Sequence, residues 1–232
     1  PDPSARRELA RRALRENLNT RQIQKEVIRY KAAHKIVPDQ PVPKLAAQRG
    51  RLYTYRLAEA VTPLAKGNVF VDCGFRDWYP AKCALKSLTK DTIVETVVSG
   101  GSFEAVKSGR AEKDLYTYRA IVKELVDADT PWAEIDLGLG GVTLQKLRLR
   151  GIDAPEISTA AGRRAKRFVE KLLKPCPFII VKTYKDQSDK YDRYLVDVYF
   201  LAGETDASKV AAHGELLNQR LLDEKLVVRY RE

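Results

Sequence analysis

The stretch Leu147–Glu156 reads LRLRGIDAPE, and it decides how the rest of the sequence is interpreted. Its leucines alternate with Arg148 and Arg150, which is the period-two pattern of a strand with one buried face and places both arginines on one face. The proline disfavours helical backbone at the residue before it, so the strand should end near Asp153 and turn. The turn then presents two carboxylates, Asp153 and Glu156, beside a cationic strand.

These residue types suit the chemistry of phosphate groups. An aspartate at a turn can hold a divalent cation, a glutamate can act as a base, and an arginine can contact a phosphate. The same ten residues are equally consistent with an exposed strand and a salt-bridged loop that has no function. The remainder of the sequence therefore has to separate the two interpretations.

The composition of the 232-residue chain predicts a globular protein with a polyanionic partner. Hydrophobic residues make up 44% of the chain, and the length allows one large or two modest domains. The formal net charge is +11, from 42 Lys and Arg against 31 Asp and Glu, and nucleic acid is the most frequent partner of such a chain. A basic ribosome-like protein or a protein of the membrane surface is the alternative that charge alone leaves open.

Several other classes of protein are disfavoured. No apolar run approaches the roughly 18 residues that span a bilayer, so we expect no membrane insertion. The three cysteines lack the spacing of a zinc site or disulfide framework, and the two histidines lie far in sequence from the arginines and carboxylates. No apolar signal-peptide core is present, which favours a cytoplasmic protein, although a start at Pro1 without any Met indicates processing or trimming.

Residues 1–44 read as a basic helical segment, with helix expected over about residues 4–37. Apolar residues recur at helical spacing, and Asn19 and Thr20 mark a break and the start of a second helix. Residues 1–50 hold 12 basic and 5 acidic residues, which accounts for +7 of the net charge. A solvated helix face is the commoner explanation of such charge, and contact with a phosphate backbone is the alternative.

A small β-rich domain is expected over residues 51–110, and it begins like the part that follows. The sequence LYTYR occurs at Leu52–Arg56 and again at Leu115–Arg119, and VFVDCGF at 69–75 is answered by AEIDLGL at 133–139. Two related β units are therefore expected. Only the second is followed by an arginine and carboxylate cluster, so the first should be a structural or binding relative and not a second active site.

The second unit, residues 115–232, should begin with three successive strands. Asp127 and Asp129 lie in VDADT after the first of them, where acids are often only turn formers. In a twisted sheet, strands one and three can bring Asp129 beside Asp153, which gives the oxygen-rich pocket that calcium prefers. The second and third of these strands should form the two arms of a hairpin, with Gly140 and Gly141 in its connection.

The remainder of the second unit should hold a helix at 161–173, two strands at 178–185 and 194–200, and a final helix from Leu216 to about Glu224. The loop DQSDKYDR between the two strands carries a basic and aromatic group that could contact a nucleotide, Lys190, Tyr191 and Arg193. Residues 201–215 read as a polar surface loop, and LVVRYRE follows the final helix as the tail.

Four short motifs resemble, in order, those of the thermonuclease family, the staphylococcal-nuclease-like domains, over about residues 115–231. VDADT resembles the family's DGDT element, LRLRGIDAPE its strand of arginines and acids, DKYDRYLVDV its DKYGRxL loop, and LLNQRLLDEKL its LNxxLxxxGL helix. Each motif is short, but four in the same order over half of the chain argue against chance agreement.

The resemblance implies an α+β, mainly β protein in which residues 115–232 form an OB-fold, a five-stranded β-barrel with helices. It also implies a calcium-dependent endonuclease that hydrolyses phosphodiester bonds of DNA or RNA, single-stranded or flexible, and leaves 3′-phosphate ends. Magnesium and manganese are less favoured cations. The alternative is a non-catalytic nuclease-like module that binds nucleic acid or protein.

The resemblance also assigns metal and substrate contacts. Calcium would be ligated by the carboxylates of Asp129 and Asp153 and by the backbone carbonyl of Ala154. The substrate would be contacted by three residues further along the chain, with the last stacking on a base: Lys190, Tyr191 and Tyr230.

Three catalytic residues are implied in the same way. Arg148 and Arg193 would clamp the phosphate, and Glu156 would orient or deprotonate the attacking water. Three departures from the family pattern fall at positions where the family has glycine, which is the most permissive residue for a turn. They are Ala128, Asp192 and Lys225.

Overall fold

The computed structural model of the protein describes residues 10–11, 13–16, 18–19, 22–23, 42, 44–59, 69–80, 89–188 and 193–230. The strands of these residues form a five-stranded sheet, a closed barrel with one added strand, and a two-stranded ribbon. Within the same residues, no helix has the length and apolar character that crossing a membrane requires.

The first sheet is antiparallel, with its strands in the order β3-β2-β1-β4-β5. Its strands are β1 (Thr54–Glu59), β2 (Val69–Asp72), β3 (Trp78–Pro80), β4 (Ile93–Ser99) and β5 (Ser102–Lys107). Alternate residues of β1 are buried, with Tyr55 and Leu57 on the covered face and Arg56 between them partly exposed, as expected for a sheet with one face packed on a core.

The second sheet closes into a five-stranded barrel in the order β10-β6-β7-β8-β11, because β11 also pairs with β10. Its strands are β6 (Thr117–Asp127), β7 (Thr130–Asp136), β8 (Val142–Leu149), β10 (Ile179–Ser188) and β11 (Tyr194–Phe200). Strands β8 and β11 run parallel and the other neighbours antiparallel. The architecture confirms the OB-fold predicted for this part of the chain.

Among the described residues, three further short strands flank the barrel. Strand β9 (Ile152–Asp153) leaves it after β8 and pairs with β13 (Val228–Arg229), and β12 (Glu215–Leu216) adds to the edge of β11. The C-terminal tail therefore contains a short strand. The tail strand satisfies the backbone groups of β9, a constraint that is not visible in the local pattern of LVVRYRE.

Three helices pack on the barrel: α1 (Ala160–Leu173), α2 (Ala207–His213) and α3 (Leu217–Asp223). Thr159 begins α1 by accepting a hydrogen bond from the amide of Gly162, and the helix buries Ala165 and Val169. Helices α1 and α3 confirm the predictions. Helix α2 contradicts the prediction of a polar loop over residues 201–215. The helix forms there because the Asp206 side chain caps its start, accepting hydrogen bonds from the amides of Ser208 and Lys209.

Lys225 ends α3 at the position where the family helix ends on glycine. Its backbone is left-handed, with φ of 54°, and the amides of Lys225 and Leu226 bond back to the carbonyls of Leu222 and Leu221. This is the geometry of a helix C-cap that glycine adopts with less strain. The departure therefore costs some stability but leaves the fold unchanged.

Most of the helix predicted for residues 4–37 lies outside the described residues. Within it, Ala10, Arg11 and residues 13–15 are helical, and Leu14 is 83% exposed. The predicted start of the second helix is observed. The Asn19 side chain accepts a hydrogen bond from the Gln22 amide, and the Gln22 side chain accepts one from the Asn19 amide.

The two units that share the LYTYR sequence also share a strand order. The order β3-β2-β1-β4-β5 of the first corresponds to β8-β7-β6-β10-β11 of the barrel. Each unit also ends its second strand in the same turn, in which an aspartate accepts from the amide of a left-handed glycine two residues later. These pairs are Asp72 with Gly74 and Asp136 with Gly138. The likeness expected from the sequence is confirmed.

Contacts between the two units are reciprocal, as across an approximate two-fold axis. Tyrosines of each LYTYR copy donate to the turn of the other unit. The Tyr53 hydroxyl donates to Asp136 at 2.8 Å, and its counterpart, the Tyr116 hydroxyl, donates to Asp72 at 3.3 Å. In the same way, the Tyr55 hydroxyl donates to the Leu137 carbonyl and the Tyr118 hydroxyl to the Cys73 carbonyl. The backbone repeats the relation, since the Tyr53 amide binds the Thr117 carbonyl and the Tyr116 amide binds the Thr54 carbonyl.

One buried hydrophobic cluster contains side chains from both sheets, among them Tyr55 and Leu57 of the first and Tyr118 and Ile135 of the second. Burial raises the pKa of the Tyr55 and Tyr118 phenols above the usual value, so both remain neutral donors near neutral pH. Because the units share this cluster, they should unfold together. The boundaries of the segments 51–110 and 115–232 stay a prediction from the sequence.

Replacing either reciprocal tyrosine, Tyr55→Phe or Tyr118→Phe, should lower the free energy of unfolding by about 1–2 kcal/mol, because each change removes a hydrogen bond to a buried carbonyl. Urea denaturation monitored by tryptophan fluorescence measures the loss. Tyr79→Phe is the control, since the Tyr79 hydroxyl forms no hydrogen bond with a described residue. Separate unfolding transitions for the two units, or losses no larger than the control's, would contradict the shared interface.

Candidate active site

The turn between β6 and β7 holds the first acid of the site. Asp127 pairs with Thr130 across the turn, and Asp129 between them is 3% exposed. The Asp129 carbonyl accepts from the amide of Leu149 at 2.9 Å, which ties the turn to the end of β8. Ala128 stands where the family has glycine, but its backbone is not left-handed, so this turn does not require glycine.

Arg148, one residue from the end of β8, links the two predicted metal-binding aspartates. It is 9% exposed, and its guanidinium group forms ion pairs with Asp129 and, at 2.8 Å, with Oδ1 of Asp153. The same group donates to the carbonyl of Ile152 at 3.0 Å. The structure thus brings Arg148, Asp129 and Asp153 into one buried cluster, with both carboxylates directed at one guanidinium.

The backbone after β8 fixes the second aspartate. Ala154 donates from its amide to Oδ2 of Asp129 at 2.5 Å, so the turn of β6–β7 and the exit of β9 share a hydrogen bond. The tail strand holds the other side, because the Tyr230 amide donates to the Gly151 carbonyl at 2.9 Å. Tyr230, to which the resemblance assigns a substrate contact, therefore lies beside the turn that precedes Asp153.

Arg193 reaches the same cluster from the start of β11. Its Nη1 donates to the hydroxyl of Thr130 at 3.0 Å, and that hydroxyl donates to Oδ1 of Asp129 at 2.9 Å. A continuous chain of polar contacts therefore joins the two predicted catalytic arginines. The sequence analysis did not assign a role to Thr130. Lys190, Tyr191 and Asp192 lie outside the described residues.

Glu156 lies on the turn between β9 and α1, and its side chain is exposed. Its backbone carbonyl accepts from both the amide (2.9 Å) and the hydroxyl (2.7 Å) of Thr159. Helix α1 packs closely against it, since a Cβ at Gly162 would stand only 2.1 Å from the Glu156 carbonyl oxygen. The start of α1 therefore fixes the backbone of Glu156 three residues after Asp153.

Carboxylate oxygens that converge on one point fit the donor set of a hard cation such as calcium. Asp127 adds a further oxygen to the same turn: its Oδ1 is buried and has no hydrogen-bond partner in the described part of the chain. The described residues include no group of three or more His, Cys, Asp or Glu side chains arranged to hold a metal ion. A cation at Asp129 and Asp153 would therefore take its other ligands from the backbone, from solvent or from substrate.

Arg150, the other arginine of LRLRGIDAPE, contacts different residues. It pairs with Asp197 at 3.1 Å, donates to the Ala46 carbonyl at 2.6 Å and lies 4.4 Å from the centre of the Tyr184 ring. Asp197 is 1% exposed and also accepts from the Tyr184 hydroxyl at 2.6 Å. Arg150 therefore neutralises a buried carboxylate of the barrel, which is a structural task.

Comparison with known proteins agrees with this geometry. Residues 146–230 match the model of the family described as staphylococcal nuclease homologue. The match includes Arg148, Asp153, Glu156 and Arg193, and it ends at Tyr230. No curated protein matches the chain. Residues 146–230 are therefore similar to the staphylococcal nuclease homologue family, as the motifs predicted.

Removing the guanidinium group of Arg148 should destabilise the folded protein. Arg148→Met would leave the carboxylates of Asp129 and Asp153 facing each other without the guanidinium group that offsets their charge, and we expect the free energy of unfolding to fall by about 3–5 kcal/mol. Urea denaturation at neutral pH measures it. Arg164→Met, on the exposed face of α1, is the matched control and should change stability by less than about 0.5 kcal/mol. Equal stabilities of the two variants would contradict a buried ion cluster.

Proposed function

We propose that the barrel domain is a calcium-dependent nuclease that hydrolyses phosphodiester bonds of DNA or RNA. The observation that carries the proposal is the polar cluster in which Arg193, Thr130, Asp129, Arg148 and Asp153 are joined by successive contacts. It gathers two guanidinium groups and two carboxylates from four separate segments of the chain. A purely structural ion pair would not need the second arginine.

The two arginines would bind the phosphate. A guanidinium group donates to phosphate oxygens in a fixed planar geometry and stays charged at any pH of interest. On substrate binding, Arg148 would exchange its carboxylate partners for the phosphate, while Arg193 would turn from Thr130 to the same group. Both would stabilise the extra negative charge that develops on the phosphoryl oxygens in the transition state.

Asp129 and Asp153, with the carbonyl of Ala154, would hold the cation. When bound, calcium supplies positive charge that offsets the repulsion between an anionic phosphodiester and an incoming nucleophile. The same charge would replace that of Arg148 beside the two carboxylates, so that the arginine becomes available to the substrate. Calcium suits carboxylate, carbonyl and water ligands of variable number better than magnesium, which requires a stricter octahedral arrangement.

Glu156 would accept a proton from the attacking water. The water oxygen forms a new bond to phosphorus opposite the 5′ oxygen, the bond from phosphorus to that oxygen breaks, and the 5′ oxygen takes up a proton as it leaves. The products are a 3′-phosphate end and a 5′-hydroxyl end. Lys190 and Tyr191 would contact the phosphate, and Tyr230 would stack on a base of the substrate.

Single-stranded or flexible nucleic acid is the proposed substrate class. A net charge of +11 attracts the phosphate backbone, and a single strand can bring its phosphodiester to a buried arginine more easily than a stiff duplex. Charge alone does not distinguish DNA from RNA, and we propose no preference between them.

A non-catalytic module that binds nucleic acid or protein is the second candidate. The observation that favours it is the burial of Arg148, which is 9% exposed and engaged by both aspartates. If this cluster does not open, it stabilises the barrel and cannot reach a phosphate.

The two candidates differ in a cleavage assay with a fluorescent single-stranded oligonucleotide, in calcium or in excess chelator. The nuclease should cleave only with calcium, and fragment masses should show 3′-phosphates. Glu156→Gln should lower the rate by about 10²-fold or more, and Arg193→Gln by about 10²- to 10³-fold. The exposed-face variant Arg164→Gln serves as the control and should cleave at the wild-type rate.

The nuclease proposal is rejected, and the binding module favoured, by one result. In that result the oligonucleotide is bound but not cut in calcium, magnesium or manganese, and wild type and Glu156→Gln are equally inert.

A further inference from the structure

A cleft of about 490 Å³ lies where the first sheet meets the barrel. Residues of the first unit, of the segment that joins the units and of strand β10 line it, among them Arg56, Lys113, Tyr116, Lys182, Thr183 and Tyr184. None of them belongs to the arginine and carboxylate cluster described above. The cleft is therefore a separate feature, created by the association of the two units.

Lys182 places a buried ammonium group in this cleft. The side chain is 3% exposed, and its Nζ donates to the carbonyl of Leu115, a lining residue, and lies 5.7 Å from the centre of the Tyr184 ring. Lys182 forms no salt bridge with any residue that the structure describes. An ammonium group has three donors, and burying it without a counter-ion is costly.

The protonation of Lys182 reflects that cost. Burial lowers the pKa of the ammonium group to about 8, and the negative charges of Asp114 and Asp197 act in the opposite direction. Near neutral pH most of the lysine is therefore still charged, and it loses the proton within the next pH units. An anion placed against it would restore the missing charge partner and raise the pKa again.

The charge of the cleft favours an anion. Arg56 is engaged by Asp91 and Glu112, so these three residues together carry a charge of −1, which Lys113 and Lys182 exceed. The remaining charges of the lining are the exposed Lys113 and the buried Lys182. The net charge of the lining is thus positive, and its positive charge lies at the buried wall and the rim.

We propose that this cleft binds a phosphate monoester of about the size of a mononucleotide, with Lys182 as the contact to the phosphate. The volume falls in the range of pockets that hold small organic ligands, and the rings of Tyr116 and Tyr184 give the cleft apolar surface beside the ammonium. A dianionic phosphate matches the two lysines of the lining, Lys113 and Lys182, better than a neutral ligand does. The proposal does not depend on nuclease activity in the barrel.

Isothermal titration calorimetry of the full chain in chelator, with inorganic phosphate, adenosine 5′-monophosphate and adenosine, tests it. The monophosphate should bind, inorganic phosphate should bind more weakly, and adenosine should bind at least about tenfold more weakly than the monophosphate, since it lacks the charged hydrogen-bond acceptor. At pH 8.5, binding of the monophosphate should take up protons as the lysine becomes charged. Buffers of different ionisation enthalpy reveal that uptake.

Two variants locate the binding. Lys182→Met should weaken binding of the monophosphate at least about tenfold and abolish the proton uptake, and the exposed-lysine control Lys171→Met should bind like wild type. Lys113→Met removes the exposed cation of the lining, and it should also weaken binding even if Lys182→Met fails to fold. No binding to wild type, equal binding of adenosine, or unchanged binding by both cleft variants would overturn the proposal.

Discussion

The ion pairs of Arg148 with Asp129 and Asp153 hold together the end of the barrel on which the rest of the site depends. They join the β6–β7 turn, which holds Asp129, to strand β8 and to the exit through β9. Buried charges stay in place only when each has a partner, so moving one segment would leave the others uncompensated. The same requirement makes the cluster responsive, because a competing cation or anion can exchange with one of its members.

The second organising feature is the reciprocal interface between the two β units. Each unit supplies tyrosines that bind the turn of the other, and both supply side chains to one core. The barrel carries the arginine and carboxylate cluster, whereas the sequence between β1 and β2 contains no acid where the barrel has VDADT. The first unit therefore serves to support the barrel and to form the cleft that contains Lys182.

Much of the site could be predicted from the sequence because its residues lie in short motifs. LRLRGIDAPE placed Arg148, Asp153 and Glu156 at a strand end, and DKYDR placed Arg193 at the start of the next strand. The repeated LYTYR revealed two related units, because identical local sequences adopted the same left-handed backbone at Tyr53 and Tyr116.

The features that the sequence did not reveal depend on contacts between distant segments. Strand β13 exists because β9 offers it backbone partners, and α2 begins because Asp206 caps it. The period-two pattern put Arg148 and Arg150 on one face but could not show that they serve separate carboxylates. The burial of Lys182 likewise arises only when the two units meet.

A crystal structure with calcium and a nucleotide bearing a 3′-phosphate tests the central claim most directly, namely that cation and substrate exchange with the contacts of Arg148. The account predicts calcium between Asp129 and Asp153, with the guanidinium groups of Arg148 and Arg193 on the phosphate. Arg148 still bound to both aspartates, with no calcium beside them at saturating concentration, would contradict it.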